Sequence, residues 1–284
     1  VLPPGAMTEI PNIRYRKRYA LARTAEEITS LLAVKGRAGM RSEGQRRVLE
    51  YLLPIGEADG ELLRALPAVT PAHLSALTEK GILRMDTEEE IRTPYAALAK
   101  ERDTAKILLS DAQETAYRTA EKLLCEDAPR AALLYGITGS GKTQVIMRLI
   151  DRTLSLGKTV IMMVPEIALT PQTVQIFCRR YGERVAVIHS SLSQGERLDA
   201  YRRIRTGAVD LVIGTRSAVF SPIPNLGMIV IDEEHEHTYK SESDPKYHAR
   251  DVAAYRAGRH NALMLLASAT PSVESFYKAK EGVY

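Results

Sequence analysis

The chain has 284 residues, of which 45% are hydrophobic and 26% charged, as in an ordinary globular protein that can hold two domains. No apolar run approaches the ~18 residues of a membrane span, which argues against a membrane protein. The two cysteines form no CxxC pair, which argues against a disulfide framework and a cysteine metal site. The net charge of +4 is too small to indicate a nucleic-acid-binding protein by itself. We expect a cytoplasmic protein without a membrane partner.

Residues 1–23 contain three prolines, followed by a basic cluster with Tyr15 and Tyr19 interleaved. A cationic, aromatic segment suits a nucleic-acid phosphate backbone, and a solvated linker has the same composition. Both interpretations stay open. We predict that this segment is a basic linker or the end of a preceding domain.

Residues 24–106 are predicted to form a small, mostly helical domain. Capping boxes, in which side chains satisfy the first N–H groups of a helix, begin helices at Thr24 and Ser42. A third, short helix is expected over residues 57–66, and a Thr-Pro pair at Thr70 begins a fourth.

The same domain ends in a predicted hairpin, with strands at residues 82–85 and 91–93 and an acidic turn at 86–90. Helices followed by a hairpin are the pattern of a winged helix, a fold that binds DNA through a late helix or serves as a protein-contact module. The acidic turn argues against a wing that presses on phosphate. We therefore predict a winged-helix-like domain over residues 24–106.

Short apolar strands alternate with helical segments over residues 107–284. This order predicts an α/β fold with a parallel sheet that is covered by helices on both faces. The strands are expected at residues 131–135, 160–164, 185–188, 211–213, 228–231 and 263–267.

The first of these strands ends in a complete phosphate-binding loop, which opens the next helix. Its glycines let the backbone N–H groups point into one concavity, and the helix N-terminus adds partial positive charge. Lys142 would reach the β- and γ-phosphates of ATP, and Thr143 would hold Mg²⁺. The predicted ATP-binding residues of this loop are Gly136, Thr138, Gly139, Ser140, Gly141, Lys142 and Thr143.

The strand at 228–231 ends in Asp232 and Glu233, which have the form of a Walker B motif. Asp232 would hold Mg²⁺ beside Thr143, and Glu233 would act as the general base for the attacking water. An acidic loop after a strand is common in α/β proteins, but after a phosphate-binding loop it indicates ATP hydrolysis on a RecA-like P-loop NTPase fold. We predict that Lys142, Asp232 and Glu233 are the catalytic residues.

Ser268 and Thr270 follow the last predicted strand. Their hydroxyls can cap the helix that Pro271 begins, and they can also bond to the acidic loop. Both roles stay open.

The motifs together resemble the superfamily 2 helicases, and further stretches narrow the resemblance. Residues 164–172 (VPEIALTPQ), 213–217 (IGTRS) and 247–252 (YHARDV), with the DEEH form of residues 232–235, are similar to the primosomal replication-restart helicases. The resemblance covers residues 107–284 closely. It extends more loosely to residues 24–95, where that family carries a winged helix.

The resemblance implies roles for residues outside the phosphate-binding loop. Gln113 would read the adenine edge of ATP, although Ser110 and Gln113 also form a capping box. His235 would couple the ATP site to DNA, together with Ser268 and Thr270. Two motifs would line the DNA path, namely Pro165, Glu166, Thr170 and Gln172 in the first and Gly214, Thr215 and Arg216 in the second.

The loop over residues 237–248 corresponds to the segment that senses single-stranded DNA in this family. Its ring side chains are Tyr239, Tyr247 and His248, and the chain contains no Trp. Stacking on a base is worth about 1–3 kcal/mol per aromatic contact, so two tyrosines could carry the sensing. Ordinary packing under a loop is the alternative interpretation.

The resemblance implies an ATP-dependent 3′–5′ DNA helicase that uses Mg²⁺ and restarts replication at stalled or branched forks, in the bacterial cytoplasm and associated with the nucleoid. The implied partners are single-stranded and forked DNA, the single-stranded DNA-binding protein, and primosome or helicase-loading proteins. The family's cysteine-rich zinc module and second RecA-like lobe would follow the first lobe. We expect this chain to be a fragment without zinc ligands and without that second lobe, so its turnover by itself would be low.

Two alternatives remain open at this point. The first is another superfamily 2 motor, of the RecQ type or an RNA helicase, and residues 165–172 and 247–252 argue against it. The second is a DNA- or nucleotide-binding module without full turnover. Intact Lys142, Asp232 and Glu233 argue against the second alternative for the parent protein.

Overall fold

The structure is a computed structural model that describes residues 15–33, 42–89, 95, 103, 105–126 and 128–284. The chain divides into two compact units. The smaller unit lies within Asn12–Ile91, and the larger unit includes Arg92–Tyr284. No helix among the described residues is long and apolar enough to cross a membrane.

The smaller unit contains a three-stranded antiparallel sheet with the strand order β2-β1-β3. The described part of this unit has four helices beside the sheet, and fully buried Ile28, Leu49 and Leu77 lie at the centre of its core. Burial of each such side chain contributes about 1.5–3 kcal/mol. The elements are β1 (Tyr15–Leu21), α1 (Ala25–Ala33), α2 (Glu43–Ile55), β2 (Glu57–Asp59), α3 (Gly60–Ala65), α4 (Pro71–Glu79) and β3 (Leu83–Glu89).

Strand β1 corrects the prediction for the N-terminal segment. Tyr15–Leu21, which we expected to lie in a linker or a preceding domain, is the central strand of this sheet. Tyr19 is almost fully buried, and Arg18 forms ion pairs with Glu57 and Glu88. The basic residues of β1 are thus partly neutralised by carboxylates of the neighbouring strands.

The predicted hairpin is also corrected. Asp86 and Glu88 belong to strand β3 and pair with Arg18 and Arg16 of β1, so this segment does not form a turn. The predicted second strand, residues 91–93, lies outside the described residues. Residues 57–59, which we expected in a helix, form β2 and pair with β1. Helix α3 begins only after Asp59, which caps it by accepting a bond from the backbone of Glu61 at 2.6 Å.

The larger unit is a parallel sheet of six strands with helices on both faces. Its strand order is β4-β9-β8-β5-β7-β6. The strands are β4 (Arg130–Tyr135), β5 (Thr159–Met163), β6 (Val185–Ile188), β7 (Leu211–Gly214), β8 (Leu226–Asp232) and β9 (Leu263–Ser268). The helices are α5 (Asp111–Cys125), α6 (Lys142–Ser155), α7 (Pro171–Tyr181), α8 (Gln194–Arg205), α9 (Ala249–His260) and α10 (Val273–Lys280).

Alternate residues of the central strands point to opposite faces of this sheet. Met162 of β5 packs into a cluster with Ile146 of α6 and Phe177 of α7. The next residue, Met163, packs into a second cluster with Ala253 of α9. A strand that is buried on both faces appears in the sequence as a continuous apolar run. Because the strands of this sheet have that pattern, all six predicted strands are confirmed to within two residues. The predicted α/β fold is therefore confirmed.

Candidate active site

The register of the parallel sheet brings the predicted motifs to one edge. Tyr135, which precedes the phosphate-binding loop, pairs with Ser268, and Asp232 pairs with Ala267 on the same strand β9. Met163 of β5 pairs with Ile231 on one side and Gly214 on the other. Because all six strands are parallel, the loops that follow them form one continuous surface at their carboxyl ends.

The phosphate-binding loop curls around its own lysine. Gly139 and Gly141 both have φ of +78°, a backbone conformation that glycine adopts without strain. The Lys142 ammonium donates to the carbonyls of Gly136 at 2.8 Å and Ile137 at 3.3 Å, so it lies across the loop. Thr143 is the second residue of α6 and is exposed beside this lysine.

Close packing restricts the glycines of the loop further. A Cβ at Gly136 would lie 2.8 Å from the hydroxyl of Ser140, and one at Gly141 would lie 2.3 Å from the amide nitrogen of Gln113. Thr138, by contrast, is exposed at the outer turn. A small, curled loop of this shape at a helix N-terminus fits a chain of phosphates.

Gln113 joins the start of α5 to the phosphate-binding loop. Its side-chain oxygen accepts a bond from the backbone of Ser110 at 2.9 Å, which forms the capping box. Its amide nitrogen donates to the carbonyl of Ser140 at 2.8 Å. The capping role is therefore confirmed, and the adenine contact stays a prediction.

Asp232 and Glu233 lie at the end of β8 and at the start of the acidic loop. Burial, followed by the charge of Glu233, raises the pKa of Asp232 to about 6, although a bond from the Glu233 backbone and the charge of Lys142 oppose this shift. A cation next to Asp232 would stabilise its charged form. A buried carboxylate, an exposed hydroxyl at Thr143 and a nearby lysine are a donor set that fits Mg²⁺ with a nucleotide.

The backbone at Glu233 has φ of +45°, which is unusual for a residue other than glycine. Its N–H donates to the carboxylate of Asp232 at 3.1 Å. The acidic loop therefore turns sharply at Glu233, directly after the carboxyl group that fits a cation.

His235 contacts the set at the end of β9. One ring nitrogen is 2.8 Å from the hydroxyl of Ser268, and the other is 3.3 Å from the hydroxyl of Thr270. The backbone of Thr270 in turn donates to the Ser268 hydroxyl at 3.0 Å. The expected contact between these hydroxyls and the acidic loop is thus present, while the helix cap before α10 is supplied by Ser272.

Glu234 has no role that the sequence alone predicts, and it is buried next to these residues. The backbone of Ser272 donates to its carboxylate at 2.7 Å, and Arg250 pairs with it at 3.2 Å. The acidic residue type was the only sequence signal, because its partners lie 16 and 38 residues further along the chain.

A cavity of about 570 Å³ opens at the ends of β5, β6 and β7. Its basic lining residues are Arg197 and Arg216, and its acidic ones are Glu166 and Asp244. The other lining residues are polar or small, with one aromatic: Val164, Ser190, Thr215, Ser217, Thr238, Ser241, Ser243, Pro245 and Tyr247. The cavity brings together members of both motifs that we expected on a DNA path.

The first of these motifs follows β5. Glu166 accepts a bond from the hydroxyl of Ser190 at 2.6 Å on the cavity wall. Thr170 caps α7, since its hydroxyl accepts from the backbone of Thr173 at 3.2 Å. Pro165 is buried and Gln172 is exposed, and neither lines the cavity.

The second motif follows β7. A Cβ at Gly214 would lie 2.2 Å from the carbonyl of Ile188, so only glycine fits there. Thr215 is nearly buried, and Arg216 donates to the carbonyl of Lys240 at 3.0 Å. Arg216 thus holds the loop that follows the acidic residues while it lines the cavity.

The structure corrects the expectation that Tyr239 stacks on DNA bases. Its side chain is 1% exposed, and its hydroxyl donates to the carbonyl of Asp232 at 2.5 Å and lies 3.2 Å from that of Met163. Packing under the loop, the alternative interpretation, describes this residue. A role of Tyr239 in coupling stays a prediction.

Tyr247 and His248 differ from Tyr239 in their surroundings. Tyr247 is half-buried, lines the cavity and packs edge-on against Phe220, with ring centroids 4.9 Å apart. His248 caps α9 by accepting a bond from the backbone of Arg250 at 3.2 Å. Burial, and then the charge of Arg250, lower the pKa of His248, which favours the neutral ring that accepts this bond.

The family of DEAD/DEAH box helicases matches residues 110–278, a range that contains the phosphate-binding loop, the acidic loop and the set at Ser268–Thr270. The chain therefore belongs to the DEAD/DEAH box helicase family, and its larger unit has the RecA-like α/β fold of that family.

Among individual proteins, the chain is similar to the replication restart protein PriA of several bacteria. The PriA of Bacillus subtilis is 43% identical over 245 residues, which cover 84% of this chain and 30% of that protein. The PriA of Synechocystis is 40% identical over 218 residues, which cover 76% of this chain and 26% of that protein. The PriA of Haemophilus influenzae is 37% identical over 253 residues, which cover 86% of this chain and 33% of that protein.

The chain thus spans about a third or less of the length of these relatives. Among solved structures, RecG bound to a three-way DNA junction is 24% identical with a TM-score of 0.48, and the match covers 68% of this chain and 25% of that chain.

Proposed function

We propose that the protein is an ATP-dependent DNA helicase that moves 3′–5′ and restarts replication at stalled or branched forks, and that this chain contributes its nucleotide-binding lobe. The observation that carries the proposal is the pairing of Tyr135 and Asp232 with adjacent residues of β9, which brings the phosphate-binding loop and the acidic loop together. The similarity to PriA supports the pathway and the DNA substrate. It also supports a bacterial cytoplasmic setting and contacts with single-stranded DNA-binding and primosome proteins.

In this proposal the larger unit binds ATP at the ends of β4, β9 and β8. Lys142 and the N–H groups of its loop bind the phosphates, and Gln113 recognises adenine. Asp232 and Thr143 would hold Mg²⁺, which supplies positive charge to the phosphates when bound. Glu233 orients the attacking water and accepts its proton.

The cavity at the ends of β5, β6 and β7 is the proposed path of single-stranded DNA. Arg197, Arg216 and the hydroxyl of Thr215 can contact phosphates, which give most of the affinity without reading sequence. Glu166 and Asp244 in the same wall limit how much negative charge the cavity accepts. Tyr247 offers a half-buried ring on which a base can stack.

The test is the ATPase activity of the intact protein with the substitution Lys142→Ala. We expect DNA-stimulated turnover to fall at least ~100-fold, since a preorganised charge that acts on the transition state is removed. The melting temperature should not change, because the partners of this ammonium among the described residues are two carbonyls of its own loop. Lys122→Ala, at an exposed lysine on α5, is the matched control and should leave turnover unchanged.

Two results would contradict the proposal. Near-normal turnover in Lys142→Ala would overturn the assignment of the ATP site. Stimulation of the wild-type ATPase by RNA but not by DNA would overturn the substrate class. Unwinding assays on duplexes with a 3′ or a 5′ single-stranded tail would test the direction.

A further inference from the structure

Glu234, the third residue of the acidic loop, has a carboxylate with 0% exposure. It accepts bonds from the backbone of Ser272 at 2.7 Å and from the hydroxyl of Ser275 at 2.9 Å, and it pairs with Arg250 at 3.2 Å. Several hydrogen-bond donors and a paired cation are what a buried carboxylate requires to offset its desolvation. The acidic loop, the start of α9 and the start of α10 therefore meet at one buried group.

Arg250 is the cation of this cluster, and its side chain is 16% exposed. Its guanidinium also donates to the hydroxyl of Ser275 at 3.1 Å and pairs with Glu274 at 3.1 Å. The planar guanidinium thus contacts two carboxylates and the hydroxyls of Ser272 and Ser275 in fixed directions. Because these contacts have fixed directions, the pair of Glu234 and Arg250 joins the acidic loop rigidly to the start of α9.

The backbone of Arg250 is tied to the cavity. We call residues 240–248 the cavity strap, because Ser241, Ser243, Asp244, Pro245 and Tyr247 of this segment line the cavity. The strap closes on itself, since the backbone of Ser241 donates to the carbonyl of Tyr247 at 2.8 Å. It ends at His248, whose ring accepts the backbone N–H of Arg250. A displacement of the strap therefore displaces Arg250.

The backbone of Glu234 is tied to the ATP site. It follows Glu233, whose φ of +45° fixes the turn of the acidic loop. Its N–H donates to the carbonyl of Ala267 at 3.1 Å, next to Ser268, which contacts His235. A displacement of Glu234 therefore shifts the proposed general base and the hydroxyls at the end of β9.

We propose that Glu234 and Arg250 are positioning residues that transmit occupancy of the cavity to the ATP site. The inference rests on the proposed function, and it adds a specific path between the two sites. Nucleic acid that moves the cavity strap moves Arg250, and the buried pair carries this movement to Glu234 and its neighbour Glu233. Neither residue needs to touch nucleotide or nucleic acid.

A purely structural role for the pair makes a different prediction. If the pair only stabilises the fold, then replacing both charges with neutral amides should restore stability and leave coupling intact, because no buried charge is left unpaired. If the pair transmits movement, the doubly neutral protein should be stable and still uncoupled. Coupling between sites commonly changes a response 5- to 150-fold.

The experiment compares three variants of the intact protein: Glu234→Gln, the double variant Glu234→Gln/Arg250→Gln, and Arg250→Lys, which keeps the charge. ATP turnover is measured without nucleic acid and at saturating oligo-dT, alongside oligo-dT affinity at fixed salt and thermal unfolding. We expect the ratio of stimulated to basal turnover to fall at least ~10-fold in the first two variants. Arg250→Lys keeps the charge but not the planar contacts of the guanidinium, so its ratio should lie between those of the wild type and the double variant. Affinity for oligo-dT should stay within about twofold throughout.

Asp151→Asn is the matched control. Asp151 pairs with Arg180 at 2.5 Å and also joins two helices of the larger unit, α6 and α7, but this pair contacts neither the acidic loop nor the strap. The control should lower the melting temperature and leave the stimulation ratio unchanged. An equal loss of stimulation in the control would show that any destabilised helix pair has this effect, and would overturn the inference.

The remaining outcomes are equally decisive. Normal stimulation in the double variant, or in Glu234→Gln, overturns the inference while the proposed function stands. If Glu234→Gln does not unfold cooperatively, the double variant and Arg250→Lys decide, and equal stimulation in these two overturns the inference. A wild-type protein whose ATPase is not stimulated by oligo-dT overturns the proposed function and the inference together.

Discussion

The fold raises the pKa of Asp232 well above its usual value. Burial and the neighbouring Glu233 raise its pKa to about 6, while Lys142 opposes the shift. The folded protein therefore binds more protons at Asp232 than the unfolded chain between about pH 4 and pH 6. The stability that this residue contributes is fully present below about pH 4, and it is lost as the pH rises through that window to about 6.

The substitution Asp232→Asn tests this balance. Without divalent cations, the variant should melt a few degrees above the wild type at pH 8, because it holds no buried charge. The difference should shrink at pH 5, where the wild-type carboxyl is protonated in the folded state. Thermal unfolding in EDTA at both pH values is the measurement, with exposed Asp251→Asn as control. A larger difference at pH 5 than at pH 8 would contradict the raised pKa.

The two tyrosines of the loop after β8 should respond differently to substitution. Tyr239→Phe removes a buried hydroxyl that bonds to carbonyls at the ends of β8 and β5, and should cost about 1–2 kcal/mol of stability with little effect on DNA affinity. Tyr247→Ala removes a half-buried ring from the cavity and should weaken binding of single-stranded DNA by about 1–3 kcal/mol.

Binding to oligo-dT at fixed salt and urea unfolding separate these effects. Tyr255→Ala, at a ring that is 69% exposed on α9, is the control and should change neither quantity. If Tyr239→Phe weakens DNA binding more than Tyr247→Ala does, then our assignment of the two tyrosines is reversed.

At the scale of elements, close approach of chain segments decides which residues fit. Gly214→Ala should destabilise the protein by about 1–3 kcal/mol or more, because the added carbon would lie 2.2 Å from the carbonyl of Ile188 and 2.9 Å from the side chain of Ala218. Gly258→Ala is the opposite case, since apart from the adjacent residues and backbone of α9 no described atom lies within 4 Å of the added carbon. It should stabilise the protein by about 0.5–1 kcal/mol. Equal effects in urea unfolding would show that contact at Gly214 is not limiting.

The elements of the larger unit could be predicted because their signals are local. An apolar run such as 228–231 and a cap such as Ser110 lie within the element that they define. Strand β1 could not be predicted in this way, because its pairing of Tyr19 with Met85 joins residues that are far apart in the chain. A run of basic residues has the same local appearance in a linker and opposite an acidic strand.

For the whole molecule, some parts of the candidate site could be predicted from local sequence and other parts could not. The phosphate-binding loop and the acidic loop are contiguous motifs, and the parallel order of the strands brings them to one edge. The burial of Tyr239 and the cluster around Glu234 depend on contacts between distant segments, such as that between Glu234 and Ser275. Spacing within the sequence carries no signal for such contacts. The stacking role expected for Tyr239 was therefore wrong, and Glu234 was not predicted at all.

The strand order also sets the distance between the phosphate-binding loop and the cavity at the ends of β5, β6 and β7. The phosphate-binding loop follows β4 and the wall residue Arg216 follows β7, with β9, β8 and β5 between them. At about 4.8 Å per strand, these loops begin about 19 Å apart. A small molecule that fills the 570 Å³ cavity would therefore leave the nucleotide pocket open, and would compete with nucleic acid and not with ATP.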